Sequence, residues 1–157
     1  MKISPTWLGI VGLMILGFIA YSAFTSNQQE KVVQEKVNEL KMLRNNWKNL
    51  IRCDRGNYRA YSLGGNPNFQ IPVQNNSDYV IDKITMSVSF IKDAGGVYKT
   101  EQVSLDNIPP HSVKYAVGPK SSRGTSVDIE MVEIFSRGME FCYPRGNGDP
   151  FDPYYCK

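Results

Sequence analysis

The chain has 157 residues, of which 41% are hydrophobic and 21% charged, the usage of folded proteins rather than disordered ones. Its length admits one compact domain plus an appendage. A formal net charge of +3 is too small to direct it to nucleic acid, and three cysteines with one histidine leave little for a metal cluster or a Cys/His catalytic pair.

Residues 1–6 are a short tail. From Trp7 to Phe24 the chain reads WLGIVGLMILGFIAYSAF, eighteen residues without a charge. As a helix this run is about 27 Å long, enough to cross ~30 Å of hydrocarbon. Trp7 and Tyr21 stand near its ends, where amphipathic rings prefer the membrane interface. A cleavable signal peptide is the alternative, with Lys2 as its positive start and Ala20-Tyr21-Ser22 as its cleavage site, but the run is longer than the usual apolar core of a signal. A retained anchor at 7–24, in contact with the lipid bilayer, is therefore expected. Positive charges lie on both sides (Lys2 before the run, Lys31 and Lys36 after it), so they do not set its orientation.

Residues 25–55 carry no proline, no glycine before Gly56, and many good helix formers. Val33, Val37, Leu40, Leu43, Trp47 and Leu50 recur at spacings of 4, 3, 3, 4 and 3, an apolar stripe on a helix. It serves either to pack on the chain's own β-domain or to pair subunits as a short coiled coil. Seven basic and four acidic residues over 30–55 read as a solvated face.

From residue 56 onward the pattern turns to short runs of Val, Ile, Tyr, Phe and Thr between Gly, Pro, Asn, Asp and Ser clusters. Strands are expected at 69–74, 79–92, 97–105, 112–117 and 125–135. In the second, Ile84, Met86, Val88 and Phe90 alternate with Thr85, Ser87 and Ser89, one face in and one out. Asp-Ala-Gly-Gly at 93–96 reads as a hairpin turn, and Pro109-Pro110 as a rigid one. At least five strands with no helix between them indicate an all-β, antiparallel sandwich.

The order VQNNSDYVIDKITMSVSFIKDAGGVYKTEQVSLDNIPPHSVKYAV resembles FxLYD-type, immunoglobulin-like β-sandwich modules of bacterial envelope proteins, and the ending MEFCYPRGNGDPFDPYYC is similar to tails of small single-pass or secreted proteins of Bacteroidota. The resemblance covers roughly residues 69–156. It implies an immunoglobulin-like sandwich with adhesive, spacer or protein-contact duty and no catalytic residues.

Cys142 and Cys156 bracket a segment with three prolines and two glycines, whose turns bring its ends together. A disulfide across it contributes about 3 kcal/mol in the loop-entropy picture and implies an oxidising, extracytoplasmic compartment. Cys53 is left over, buried or paired between subunits, although three cysteines also allow it to replace either partner. Tyr143, Phe151, Tyr154 and Tyr155 make this loop aromatic, either as a ligand surface or as a cover for the open end of the sandwich. His111 follows two prolines and reads as an exposed turn residue. Asn147, Asp149 and Asp152 offer oxygens, but not at EF-hand spacing. Gly64 and Gly65 match no phosphate-binding fingerprint. Asn75-Asn76-Ser77 reads as a turn.

The expectation is a non-enzymatic, membrane-anchored protein-contact module, an accessory or structural subunit of a bacterial envelope assembly with its β-domain periplasmic or extracellular. A carbohydrate- or small-ligand-binding module using the aromatic loop is the second reading. No catalytic residue, cofactor or metal site is expected. The partner is a protein in a membrane complex or a second copy in a homodimer, not nucleic acid.

Overall fold

The structure, a computed structural model, describes Phe18, Tyr21 and residues 28–54, 69–146 and 148–156. The chain divides into two compact units, 1–39 and 40–157. The apolar run 7–24 lies outside the described residues except for Phe18 and Tyr21, both helical and exposed. Among the described residues no helix is long and apolar enough to cross a membrane.

In the first unit residues 28–39 are helical and every side chain is exposed, Val33 and Val37 included. The second unit opens with helical residues 40–45. The expected helix over 25–55 ends earlier than its composition suggests. Asn46 leaves helical geometry at φ −100°, ψ 14°, and after the short turn Trp47–Leu50 the backbone is extended at Ile51. Asparagine is a poor helix former and isoleucine a good strand former, so burial switches there to a period of two, with Ile51 in, Arg52 out and Cys53 half in.

Among the described residues seven strands build two antiparallel sheets. One has three strands: β1 (Ile51–Cys53), β2 (Gln70–Asn75) and β5 (Ser112–Val117), in the order β1-β2-β5. The other has four: β3 (Ile81–Ile91), β4 (Val97–Ile108), β6 (Ser126–Ser136) and β7 (Phe141–Tyr143), in the order β4-β3-β6-β7. The five expected strands are all present, with β4 extending three residues further; β1 and β7 join them.

Both sheets feed one core. Ile71, Val73 and Ala116 come from the first sheet, and Ile84, Met86, Val88, Phe90, Val127, Ile134 and Phe141 from the second, with Trp47 and Ile51 closing one end. Each such burial is worth roughly 1.5–3 kcal/mol. The inward face of β3 is the alternation read from sequence. Pro72 lies inside β2 opposite Tyr115, and its carbonyl receives the Asp54 N–H just past the end of β1 (3.2 Å).

The turns are specified locally. Gly95 and Gly96 take φ of +79° and +82° in the β3–β4 hairpin, a conformation closed to most residues. Asn75, fully buried, organises the opposite end of the sheets. Its Nδ2 donates to the carbonyls of Tyr79 (2.8 Å), Ile108 (3.2 Å) and Pro109 (3.0 Å), while its Oδ1 accepts from Ser77 N and Oγ. One side chain thus ties the β2–β3 turn to the β4–β5 turn.

Candidate functional site

The second half of the apolar stripe and the C-terminal loop meet at one end of the sandwich. Leu40 and Trp47 are buried, and Leu43 and Leu50 are half-buried against the core. Trp47 lies against Tyr143, Phe141 and Tyr154 with ring centroids 4.6, 6.0 and 6.4 Å away. Phe141 and Tyr154 complete the cluster edge to face at 5.8 Å. Such pairs add roughly 0.5–1.5 kcal/mol each beyond the area they bury.

Arg44 is 2% exposed and points into this cap. Its Nε donates to Asp152 Oδ1 (3.0 Å), its Nη2 to Asp152 Oδ2, and its Nη1 to the Met139 carbonyl (2.8 Å). The guanidinium also lies over the Tyr155 ring, 5.0 Å from its centroid. The fork of donors matches a carboxylate, which is why an arginine can be buried here. Sequence reasoning missed this pair because its members are 108 residues apart. A signal existed: Arg44 falls four residues after Leu40 and three before Trp47, on the apolar stripe itself.

Cys142 and Cys156 are joined in a disulfide, with Cα atoms 5.8 Å apart. Backbone bonds from Cys142 N to Tyr154 O (2.8 Å) and from Cys156 N to Glu140 O (2.9 Å) hold the same two segments side by side. Gly146 passes so close to the Tyr155 carbonyl that any Cβ there would collide with it. Tyr143, Tyr154 and Tyr155 are thereby turned onto the domain, whereas Phe151 is 77% exposed with Lys41 Nζ 5.9 Å from its centroid. Asp149 Oδ1 accepts the Phe151 N–H (2.8 Å) and Asp152 faces Arg44, so the two carboxylates are directed apart. Asn147 lies outside the described residues, as do Gly64 and Gly65.

His111 is exposed in the β4–β5 turn with Nε2 2.7 Å from Asp78 Oδ1. Cys53 is a free, half-buried thiol, and burial, then the neighbouring Asp54 charge, raises its pKa. Asn75 of the Asn-Asn-Ser turn spends its amide on the network described above. On the outer face of the four-stranded sheet, Glu133 accepts from Thr85 Oγ1 (2.9 Å) and pairs with Lys83 (3.4 Å). The Thr85 hydrogen bond first, then the bond and charge of Lys83, lower its pKa.

The chemistry of this end is adhesion of a loop to a sandwich: a staple, an ion pair and stacked rings. The chain matches no known family model, no curated protein and no solved structure.

Proposed function

We propose that this chain is a membrane-anchored protein-contact module, held by residues 7–24 in the bacterial inner membrane with its β-domain on the periplasmic or extracellular side, and that it serves as a structural or accessory subunit of an envelope assembly. The observation that carries this reading is the disulfide-closed cap in a chain that also has an eighteen-residue uncharged run near its start. Stable disulfides belong to oxidising compartments, and the run supplies the anchor. An immunoglobulin-like arrangement is part of the same reading. It is supported by the strand order, three against four, in which the chain changes sheet between β2 and β3, β4 and β5, and β5 and β6. The second reading, a glycan or small-ligand site on the aromatic loop, is left with Phe151 as its outward ring.

The test is extraction in mild detergent, capture through a C-terminal tag, and mass spectrometry of what co-purifies. A stoichiometric set of membrane proteins supports an assembly subunit and names its process. A chain captured alone contradicts that reading and turns the search to glycans.

A further inference from the structure

β6 is paired with β3 from Ser126 to Phe135, but β7 accompanies it only from Ile134 to Ser136. β7 ends at Tyr143, and the N–H groups of Cys142 and Gly146 on either side of Pro144 are turned to the C-terminal segment, bonding Tyr154 O (2.8 Å) and Pro153 O (2.9 Å). Among the described residues no strand is paired to the second edge of residues 129–133. β1, whose own outer edge ends the three-stranded sheet, forms the facing wall. The two enclose an open groove of about 590 Å³. Trp47, Ile51, Ile129, Met131 and Tyr143 line it with apolar surface, and Lys48 and Arg52 stand on its rim with Glu130 as the acidic counterpart.

Ile129 and Met131 belong to the inward face of β6, since they lie opposite Val88 and Met86 in the ladder and both of those are fully buried. On the same face Val127 is 2% exposed and Ile134 not at all. Ile129 and Met131 stay partly exposed, on the part of β6 that lines the groove. An open strand edge offers backbone donors and acceptors for pairing, and an adjacent apolar groove offers places for alternate side chains.

We propose that this groove receives an extended strand from a partner protein. The strand pairs with 129–133 along the track that β7 leaves unfinished. It places alternate apolar side chains against Ile129, Met131 and Tyr143, and an acidic residue opposite Lys48 and Arg52. Strand capture here rests on the contact-module reading and supplies the class of partner.

The test is to pan a random dodecapeptide library, displayed on phage, against the full chain in detergent. Enriched peptides should carry apolar residues at alternate positions and an acidic residue, and should slow amide exchange across 129–133. Met131→Lys should weaken them at least about tenfold. Arg52→Glu, at an exposed position, keeps the groove testable if the first variant unfolds: panning on it should replace the acidic residue with a basic one. Tyr115→Lys, on the exposed face of β5, should change nothing. The assignment is overturned if no peptide is enriched, if enriched peptides ignore both groove variants, if they protect another segment, or if the chain sediments as a dimer that Met131→Lys dissociates, which gives the groove to a second copy. Peptide binding with nothing co-purifying from membranes would retain the groove and remove the assembly, so the two readings fail separately.

Discussion

Met86 and Met131 sit opposite each other on β3 and β6, both on the inward face, yet Met86 is fully buried and Met131 is partly exposed. A few residues further along β6, Ile134 is fully buried under β7 and the C-terminal cap. The same strand is therefore finished at one end and unroofed in its middle. The finished end is closed by specific devices: a disulfide, a buried Arg44–Asp152 pair and rings stacked on Trp47. The middle stretch has half-buried apolar side chains of ordinary strand pattern, and among the described residues no strand is paired to its second edge. The lesson is that inward register does not by itself bury a residue: Val127, on the same strand and likewise beyond β7, is 2% exposed, whereas Met131 faces the groove and stays half-buried.

The cap is where a single substitution should cost most. Asp152→Ala leaves the buried Arg44 charge with only the half-exposed Glu140 carboxylate, 3.9 Å away, and should lower unfolding stability by about 3 kcal/mol in urea titrations. Replacing both members with apolar residues should cost less, and an equal cost would show that charge pairing is not what closes this end. Asn75→Ala comes next. It strips the buried Ile108 carbonyl and the part-buried Tyr79 and Pro109 carbonyls of a donor and should cost roughly 2–3 kcal/mol by the same measurement.

The two methionines give the direct comparison. Met86→Ala should cost about 2–5 kcal/mol and Met131→Ala clearly less, because the latter loses contacts on one side only. Equal losses would mean that 129–133 is covered as well as the rest of the core. The smallest effect is electrostatic. Thr85→Val removes the leading cause of the lowered Glu133 pKa, so its carboxyl should titrate closer to the ordinary glutamate range by NMR. Because a lowered carboxylate pKa favours the folded state above the unfolded-state pKa, that contribution fades as the pH falls through the folded one. An unchanged titration would assign the shift to Lys83 alone.

Much of the fold was legible wherever a strand is long enough to show its period. Ile84, Met86, Val88 and Phe90 declare the buried face of β3, and β5 coincides with the expected 112–117. Three-residue β1 and β7 carry no period, so they became visible only through their partners. The stripe Val33, Val37, Leu40, Leu43, Trp47, Leu50 is helical at its start and becomes core at its end, where Leu40 and Trp47 are buried while Val33 and Val37 remain exposed. Its two valines belong to the first unit, and periodicity alone does not say where a unit ends. The staple was legible from turn residues between Cys142 and Cys156. The ion pair that anchors the same loop was not, because charges distant in sequence read as solvated until the fold brings them together.

The proposed placement of the disulfide-closed domain on the oxidising side of a membrane is tested most directly by counting thiols. The full chain is taken from native membranes under an alkylating quench and its intact mass and peptides are read. One alkylated cysteine, Cys53, reacting slowly because burial raises its pKa, with Cys142 and Cys156 linked, is the expected result. Three alkylated cysteines would contradict both the staple and the compartment.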